Sequence, residues 1–253
     1  MDAPASAWGN SRRSRHIWLP SRAAVGVLLL LTLGALEPAQ AWFDGSHRAI
    51  MIAAGAPAEA HNASGPDMMT SKVPQEGHNH FSNAILDDHP AHARQQIRDQ
   101  ATRYDQNNPE GHLLGAVLAA LRTLQARQWR GGCAAYERGF LAHYVGDLLQ
   151  PLHTGAYDAF NRREHLRIDG LMETVPKLAT AVAAQMTPMN LRCEDEVVAA
   201  IAEAAHLAAR MNVALRASGT LSQEQGLILL AHAASLLRAL YAYAGANAAC
   251  GAG

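Results

Sequence analysis

"FLAHYVGDLLQPLH", Phe140 to His153, decides how this chain is read. Apolar residues run through it without the alternation of a half-buried strand, and Pro151 stops the run, so the stretch predicts a helix ending near Leu149. On a helix the four-residue spacing sets His143 and Asp147 on one face, about 6 Å apart along the axis. Asp147 lies between Val145 and Leu148. A carboxylate on such an apolar face is costly to bury unless a cation offsets its charge. Past Pro151 comes a further imidazole, His153.

One His-x-x-x-Asp pair is commonly a surface pair. Here the pattern repeats: in "NRREHLRIDGLMET", Asn161 to Thr174, His165 and Asp169 have the same spacing. The two pairs start 22 residues apart, with His153 between them. Imidazole nitrogen and carboxylate oxygen are ordinary non-thiol ligands of zinc, and a spacing of four lets one rigid helix deliver two of them.

Working outward, the chain is rich in Ala and Leu, is only 6% aromatic and lacks strand-like alternation, so the expected fold is all-α. Helices are expected over Ser46–Ala56, His89–Asp105, Glu110–Arg127, Cys133–Leu149, Arg162–Ala184, Leu191–Arg216 and Ser222–Ala244. Pro176 must end or kink the fifth of these. "SQEQ" at Ser222 to Gln225 has the form of an N-cap with Gln at the third helical position. Pro57 to Asp88, carrying Gly65-Pro66, Pro74 and Gly77, reads as irregular. A loop of that length within one domain is usually functional or disordered.

The N-terminus reads as a cleaved signal peptide over residues 1–41. Four Arg precede the apolar run Ala23–Leu36, and Ala39-Gln40-Ala41 has the small-x-small form of a cleavage site. The run of about 14 residues is shorter than the roughly 20 that span a bilayer. Cleavage leaves residues 42–253 as one domain of 212 residues, beginning on Trp42, with no remaining membrane anchor. The whole chain carries a net charge of −1; removing four Arg and two acids with the leader leaves −3. No basic field exists to hold long duplex nucleic acid. Cys133, Cys193 and Cys250 allow one disulfide in an exported chain without choosing the pair, and they lack the spacing of a Cys zinc site.

His143-x-x-x-Asp147 in "HYVGDLLQPLH", followed by "HLRID" and preceded by Trp42 and His47, resembles the zinc-dependent phospholipase C superfamily, which includes the single-strand-specific nucleases. The resemblance covers Trp42 to about Lys177. It implies a multi-helix domain with a cleft holding three zinc ions. One would be bound by the backbone N and O of Trp42, by His47 and by Asp147. A second would share Asp147 and add His143, His80 and Asp67, and the third would be held by His153, His165 and Asp169. His80 is placed by the His-Phe pair in "NHFSN", and Asp67 by its distance before it. Asp67 and Asp147 are the residues the resemblance implicates in catalysis. The chain departs from the pattern at Asn83, where the family commonly carries Asp; Asn cannot act as a general base.

Three zincs and three carboxylates leave a positive site that attracts phosphate, and metal-bound water ionises near neutral pH to give a hydroxide nucleophile. The expected function is therefore a zinc-dependent phosphoester hydrolase, exported to the periplasm or secreted, and monomeric. The short interval from His153 to His165 and the pattern of "HLRIDGLMET" resemble the phospholipase C branch more than the nuclease branch. Phospholipid is the expected substrate. A single-strand-specific nuclease or nucleotidase, with a base stacked on Phe81, is the alternative. A third reading, supported by Asn83 and the short chain, is an exported zinc-binding protein without turnover. His61, His78, His89, His92 and His112 are expected at the surface or behind the ligands, His206 and His232 in packed or surface helix positions, and Met68 and Met69 in loop packing.

Overall fold

Small side chains at helical spacing let helices approach closely, and the chain uses them throughout: Ala and Leu supply most of the buried core. A computed structural model describes residues 42–129 and 134–250. Nine α-helices are found among these residues: α1 (Asp44–Ala53), α2 (Gly65–Thr70), α3 (Pro90–Ala101), α4 (Leu113–Trp129), α5 (Ala135–Leu148), α6 (Ala159–Asp169), α7 (Leu178–Gln185), α8 (Glu194–Ser218) and α9 (Gln223–Cys250). There are 3-10 segments at Pro57–Ser64, Pro74–Asn79 and Pro151–His153. The expected all-α class holds, with no strand among the described residues. The expected leader and Cys133 lie outside the described residues. Cys193 is exposed and unpaired.

The opening stretch forms α5, and every residue from Leu141 to Gln150 is buried. α5 packs against α1, α4, α9 and the Pro57–Ser64 segment. Burying each of its leucines contributes roughly 1.5–3 kcal/mol. α5 therefore runs as a central rod, which is why it can carry His143 and Asp147 into the interior. α8 and α9 are long and apolar enough by composition to cross a membrane, but half or more of the apolar window in each is buried within the domain. They are core helices.

Local chemistry sets the helix ends. At Ser222 the expected reciprocal cap is present: Gln225 N–H donates to Ser222 Oγ at 3.1 Å, and Ser222 N–H donates to Gln225 Oε1 at 2.9 Å. α8 starts with Glu194, Asp195 and Glu196, which complement the positive end of the helix, and stops at Gly219 with φ 72°. The expected helix over Arg162–Ala184 is two helices. α6 starts earlier because Asp158 caps it, accepting from Asn161 N–H at 2.9 Å, and it ends at Asp169. α7 begins only after Pro176, where Lys177 takes φ 50°.

The segment expected to be irregular, Pro57 to Asp88, contains α2 and two 3-10 segments, each with Pro in its first turn. Beyond them, Ser82 is stitched between two neighbours. Its N–H donates to His153 O at 2.9 Å and its carbonyl accepts from Gly155 N–H at 2.8 Å, while Phe81 O accepts from Leu113 N–H at 3.1 Å. These bonds fix His80 and His153 beside each other.

Candidate metal centre

Three groups of buried His and Asp that can hold a metal ion are formed among the described residues: His47, His143 and Asp147; Asp67, His80 and His143; His153, His165 and Asp169. Within each group the donor atoms lie within 4.8 Å of one another. The first two groups meet at α5. Asp147 Oδ1 is 3.4 Å from His47 Nε2, while Asp147 Oδ2 is 3.0 Å from His80 Nδ1 and 3.4 Å from His143 Nε2. Asp67 Oδ1 lies 3.5 Å from His80 Nδ1 and 3.4 Å from His143 Nε2. In the third group, His165 Nε2 is 3.0 Å from His153 Nε2 and 3.5 Å from Asp169 Oδ2. All eight expected side-chain ligands are thus brought together. Seven are buried; Asp67 alone keeps some exposure, at 17% of its side chain.

The fit to metal rests on what these atoms lack. Neither Asp147 oxygen, neither His47 ring nitrogen, nor Asp169 Oδ2 has a hydrogen-bond partner, although all are shielded from water. Unpaired buried polar atoms are rare and costly in proteins. In the third group the conflict is sharper. His153 Nδ1 donates to His80 O at 2.5 Å and His165 Nδ1 donates to Asn161 Oδ1 at 2.7 Å. With both Nδ1 atoms protonated, the two Nε2 atoms present lone pairs to each other across 3.0 Å. A cation between them removes that repulsion.

A ring of residues behind the ligands sets their orientation. His143 Nδ1 donates to Ala63 O at 2.7 Å. His80 Nε2 faces Glu76 Oε1 at 3.4 Å, and that buried carboxylate also accepts from Tyr144 Oη at 2.5 Å and Asn79 Nδ2 at 3.0 Å. Gln150 Nε2 donates to Asp169 Oδ1 at 2.6 Å, leaving Oδ2 for the metal. Asn161 Nδ2 donates to Leu152 O at 2.6 Å, which turns Oδ1 toward His165. Sequence reading missed Glu76, Gln150 and Asn161 as orienting groups. Glu76 and Asn161 each precede their histidine by four residues, the same helical spacing that marks the ligands. Asn161→Ala is expected to weaken metal retention at the third group by about 10–100-fold in a chelator competition, the usual cost of losing such a partner. Unchanged retention would show that the His165 ring is held by packing alone.

α1 is positioned by Glu173, whose Oε1 accepts from Ser46 N–H and Ser46 Oγ, both at 3.0 Å. The carboxylate sits at the positive end of α1 and fixes its register. Close packing does the rest: a Cβ on Gly146 would come within 2.5 Å of His47 Nδ1, so the missing side chain makes room for the His47 ring, which stacks on His143 at 4.1 Å. Trp42 is fully buried just before α1, and the next residue's N–H, on Phe43, approaches Asp169 O at 3.4 Å. Of the other histidines, His112 is buried and bonded to Asn79 Oδ1 at 2.7 Å, behind His80's neighbour. Met69 S accepts from Tyr136 Oη, whereas Met68 is 72% exposed and does not pack the loop. Asn83 donates to Pro109 O at 3.1 Å and acts as a loop clamp.

The electrostatics of the metal-free chain give a signed pH dependence. Burial, with the charges of Asp147 and Asp67 adding and Gln150 opposing, pushes Asp169 up to about 9. Burial works against a charged His80, but Asp147 and Glu76 outweigh it and raise the imidazole to about 9. Stability from His80 is fully present below pH 6.5 and is lost as pH rises to about 9. Asp169 must keep a proton that the unfolded chain releases above pH 3.8, so it also destabilises the fold as pH rises to about 9. Burial lowers His47 and His153, which are therefore neutral in both states above pH 6.5. Burial also opposes a charged His143, but Asp147 and Asp67 raise it well above its ordinary value. His143 therefore adds to the same trend, and between pH 6.5 and 9 all the raised groups act in one direction. The melting temperature of chelator-treated protein is expected to fall by several degrees over that range, about 2–4 °C per kcal/mol for a domain of this size. Saturating metal should flatten the curve; a metal-free melting temperature that is level or rises with pH would contradict this account.

No protein-family model, curated protein or solved structure matches the chain.

Proposed function

We propose that the protein is an exported zinc-dependent phosphoester hydrolase of the phospholipase C type. The observation that carries the reading is the pair of metal-capable groups that share His143 and are bridged by Asp147, whose Oδ2 lies 3.0 Å from His80 Nδ1, with a third His-His-Asp group alongside. Three divalent zinc ions there would outweigh the three carboxylates, attract a phosphate, lower the pKa of bound water toward neutrality and offset charge on the leaving oxygen.

The chain's own groups divide the remaining work. Asp147 orients His47, His80 and His143 around its two oxygens, and burial keeps bulk water from competing for them. Asp67, the one ligand carboxylate with solvent access, stays ionised: burial alone would raise it, but His143 and His80 hold its pKa below the ordinary value. Its oxygens can accept a hydrogen bond from an entering water. Gln150 and Asn161 hold Asp169 and His165 in place during turnover.

Phospholipid is favoured by the apolar residues next to the ligands: Met68 follows Asp67, Leu166 follows His165, and they are 72% and 61% exposed. Such exposed side chains suit a lipid surface. Nucleic acid has one observation of its own. Tyr157 is exposed, its ring centroid lies 6.1 Å from His165, and the Arg162 guanidinium lies 5.9 Å over it, a ring and cation on which a base could stack. Purified protein should be assayed with added zinc against phosphatidylcholine, single-stranded DNA and a chromogenic phosphodiester. Release of phosphocholine at a rate well above DNA cleavage is expected. Faster DNA cleavage would favour the nuclease reading, and three retained zincs with no turnover of any substrate would make this a binding protein.

A further inference from the structure

The helix that carries part of the third metal-capable group has two unlike faces. Inward, α6 sets Asn161, His165 and Asp169 into the interior, where all three are buried. Outward it presents Arg162, Arg163, Leu166 and Arg167, all exposed. Arg162 and Leu166 are four residues apart and share one side of the helix. Tyr157, exposed just before α6, extends that side: the Arg162 guanidinium lies 5.9 Å over its ring, and Arg162 Nη1 donates to its carbonyl at 3.3 Å. The same ring lies 6.1 Å from the His165 ring, so the outer face runs up to the metal centre.

Charge on this face is lopsided. Arg216 pairs with Asp158 at 2.7 Å, while Glu164 serves both Arg163 and Arg167, each at 2.8 Å. Arg162 has no carboxylate partner among the described residues. Four guanidiniums against two carboxylates leave +2 here, in a chain whose net charge is −1. The half-buried Phe160 ring steadies two of the cations, with Arg163 5.2 Å and Arg216 4.9 Å from its centroid.

We propose that this outer face of α6, with Tyr157 at its start, docks the protein on an anionic phospholipid bilayer. Guanidiniums bind phosphate oxygens through paired hydrogen bonds, and each cation near an anionic membrane strengthens binding by about 5-fold. Leu166 decides between a bilayer and another polyanion: it offers a nucleic acid neither a stacking face nor a hydrogen bond, but its apolar side chain suits the edge of the lipid tails. The inference rests on the phospholipase reading for its choice of lipid, yet it concerns binding and not turnover.

The test is vesicle co-sedimentation of the zinc-loaded protein. Vesicles of equal parts phosphatidylcholine and phosphatidylglycerol are compared with pure phosphatidylcholine. Wild type is expected to bind the anionic vesicles about 30-fold more tightly, the effect of two net charges. Arg162→Gln/Arg163→Gln, which brings the face to neutral, should lose that preference. Equal binding of wild type to the two vesicles, or a variant that binds as wild type does, overturns the proposal. If the double variant loses its helical circular dichroism, Leu166→Ser, altered at an exposed position, is read instead. It should bind anionic vesicles about 5-fold more weakly or worse, because its apolar contact with lipid is gone. Unchanged binding there also overturns the proposal, as does single-stranded DNA that binds through Arg162 and Arg163 when vesicles do not. Docking and turnover fail separately: protein that cleaves the soluble chromogenic phosphodiester but ignores vesicles keeps the proposed function and loses this face, and protein that docks without cleaving any substrate does the reverse.

Discussion

If the chain is the zinc-dependent hydrolase proposed above, Asp147→Asn is expected to reduce its zinc content from three ions to one and to lower phosphoester hydrolysis by about 10³-fold or more. The size follows from position. Asp147 faces both of the first two groups with separate oxygens, Oδ1 toward His47 and Oδ2 toward His80 and His143. Asn keeps the shape but replaces one oxygen with an NH₂ donor and removes the negative charge. One of the two groups then meets a donor where it needs a lone pair, and the other loses the negative charge that offset its cation. The third group has no share in Asp147 and should retain its ion. The metal-free variant should also be less stable at neutral pH. Burial disfavours a charged His143, and Asp147 with Asp67 is what raises its pKa well above the ordinary value. Removing one partner of a buried ion pair costs about 3–5 kcal/mol when the other charge is left behind. Full zinc content with wild-type turnover would sink the assignment of Asp147 as the shared ligand.

What the sequence revealed of this site follows from which contacts are local. His143 with Asp147 and His165 with Asp169 are four residues apart, so helix geometry alone aligns them, and both pairs are placed together in the structure. Asp67 and His80 have no such rule. They lie on α2 and at the end of a 3-10 segment, and what brings them to α5 is the packing of the whole Pro57–Asn79 region. The resemblance supplied them; periodicity could not. The orienting groups divide in the same way. Glu76 and Asn161 sit one turn before their histidines and were open to reading, whereas the contact of Gln150 with Asp169 joins residues 19 apart across the Pro151 turn. Helix type was legible because Ala, Leu and Pro act within a few residues. The split between α6 and α7 was less so, since Asp158 as a cap and Lys177 at φ 50° are backbone choices that composition does not announce.

A single extra residue before Trp42, Gly or Met, is expected to cost one zinc ion and most of the hydrolytic activity. The proposal behind this is that cleavage after Ala41 frees the Trp42 amino group, and the neutral amine is a metal ligand where a peptide nitrogen is not. Several observations agree with a tight placement of this residue. Trp42 is fully buried, so its backbone is held rather than trailing in solvent. It precedes α1 directly, and α1 carries His47, a ligand of the first group, in its opening turns. Its neighbour Phe43 directs its N–H toward Asp169 O on α6, which places this stretch against the helix of the third group. An added residue would replace the amine with an amide and remove its lone pair from coordination. The loss should be confined to the first group. His153, His165 and Asp169 should keep their ion, and the melting temperature with zinc should fall far less than in Asp147→Asn. N-terminal sequencing of the protein recovered from its own cells tests the premise separately, since a mature chain that starts anywhere other than Trp42 removes the ligand. Full metal loading of the extended chain would reduce Trp42 to a packing residue and leave His47, His143 and Asp147 to hold the first ion unaided.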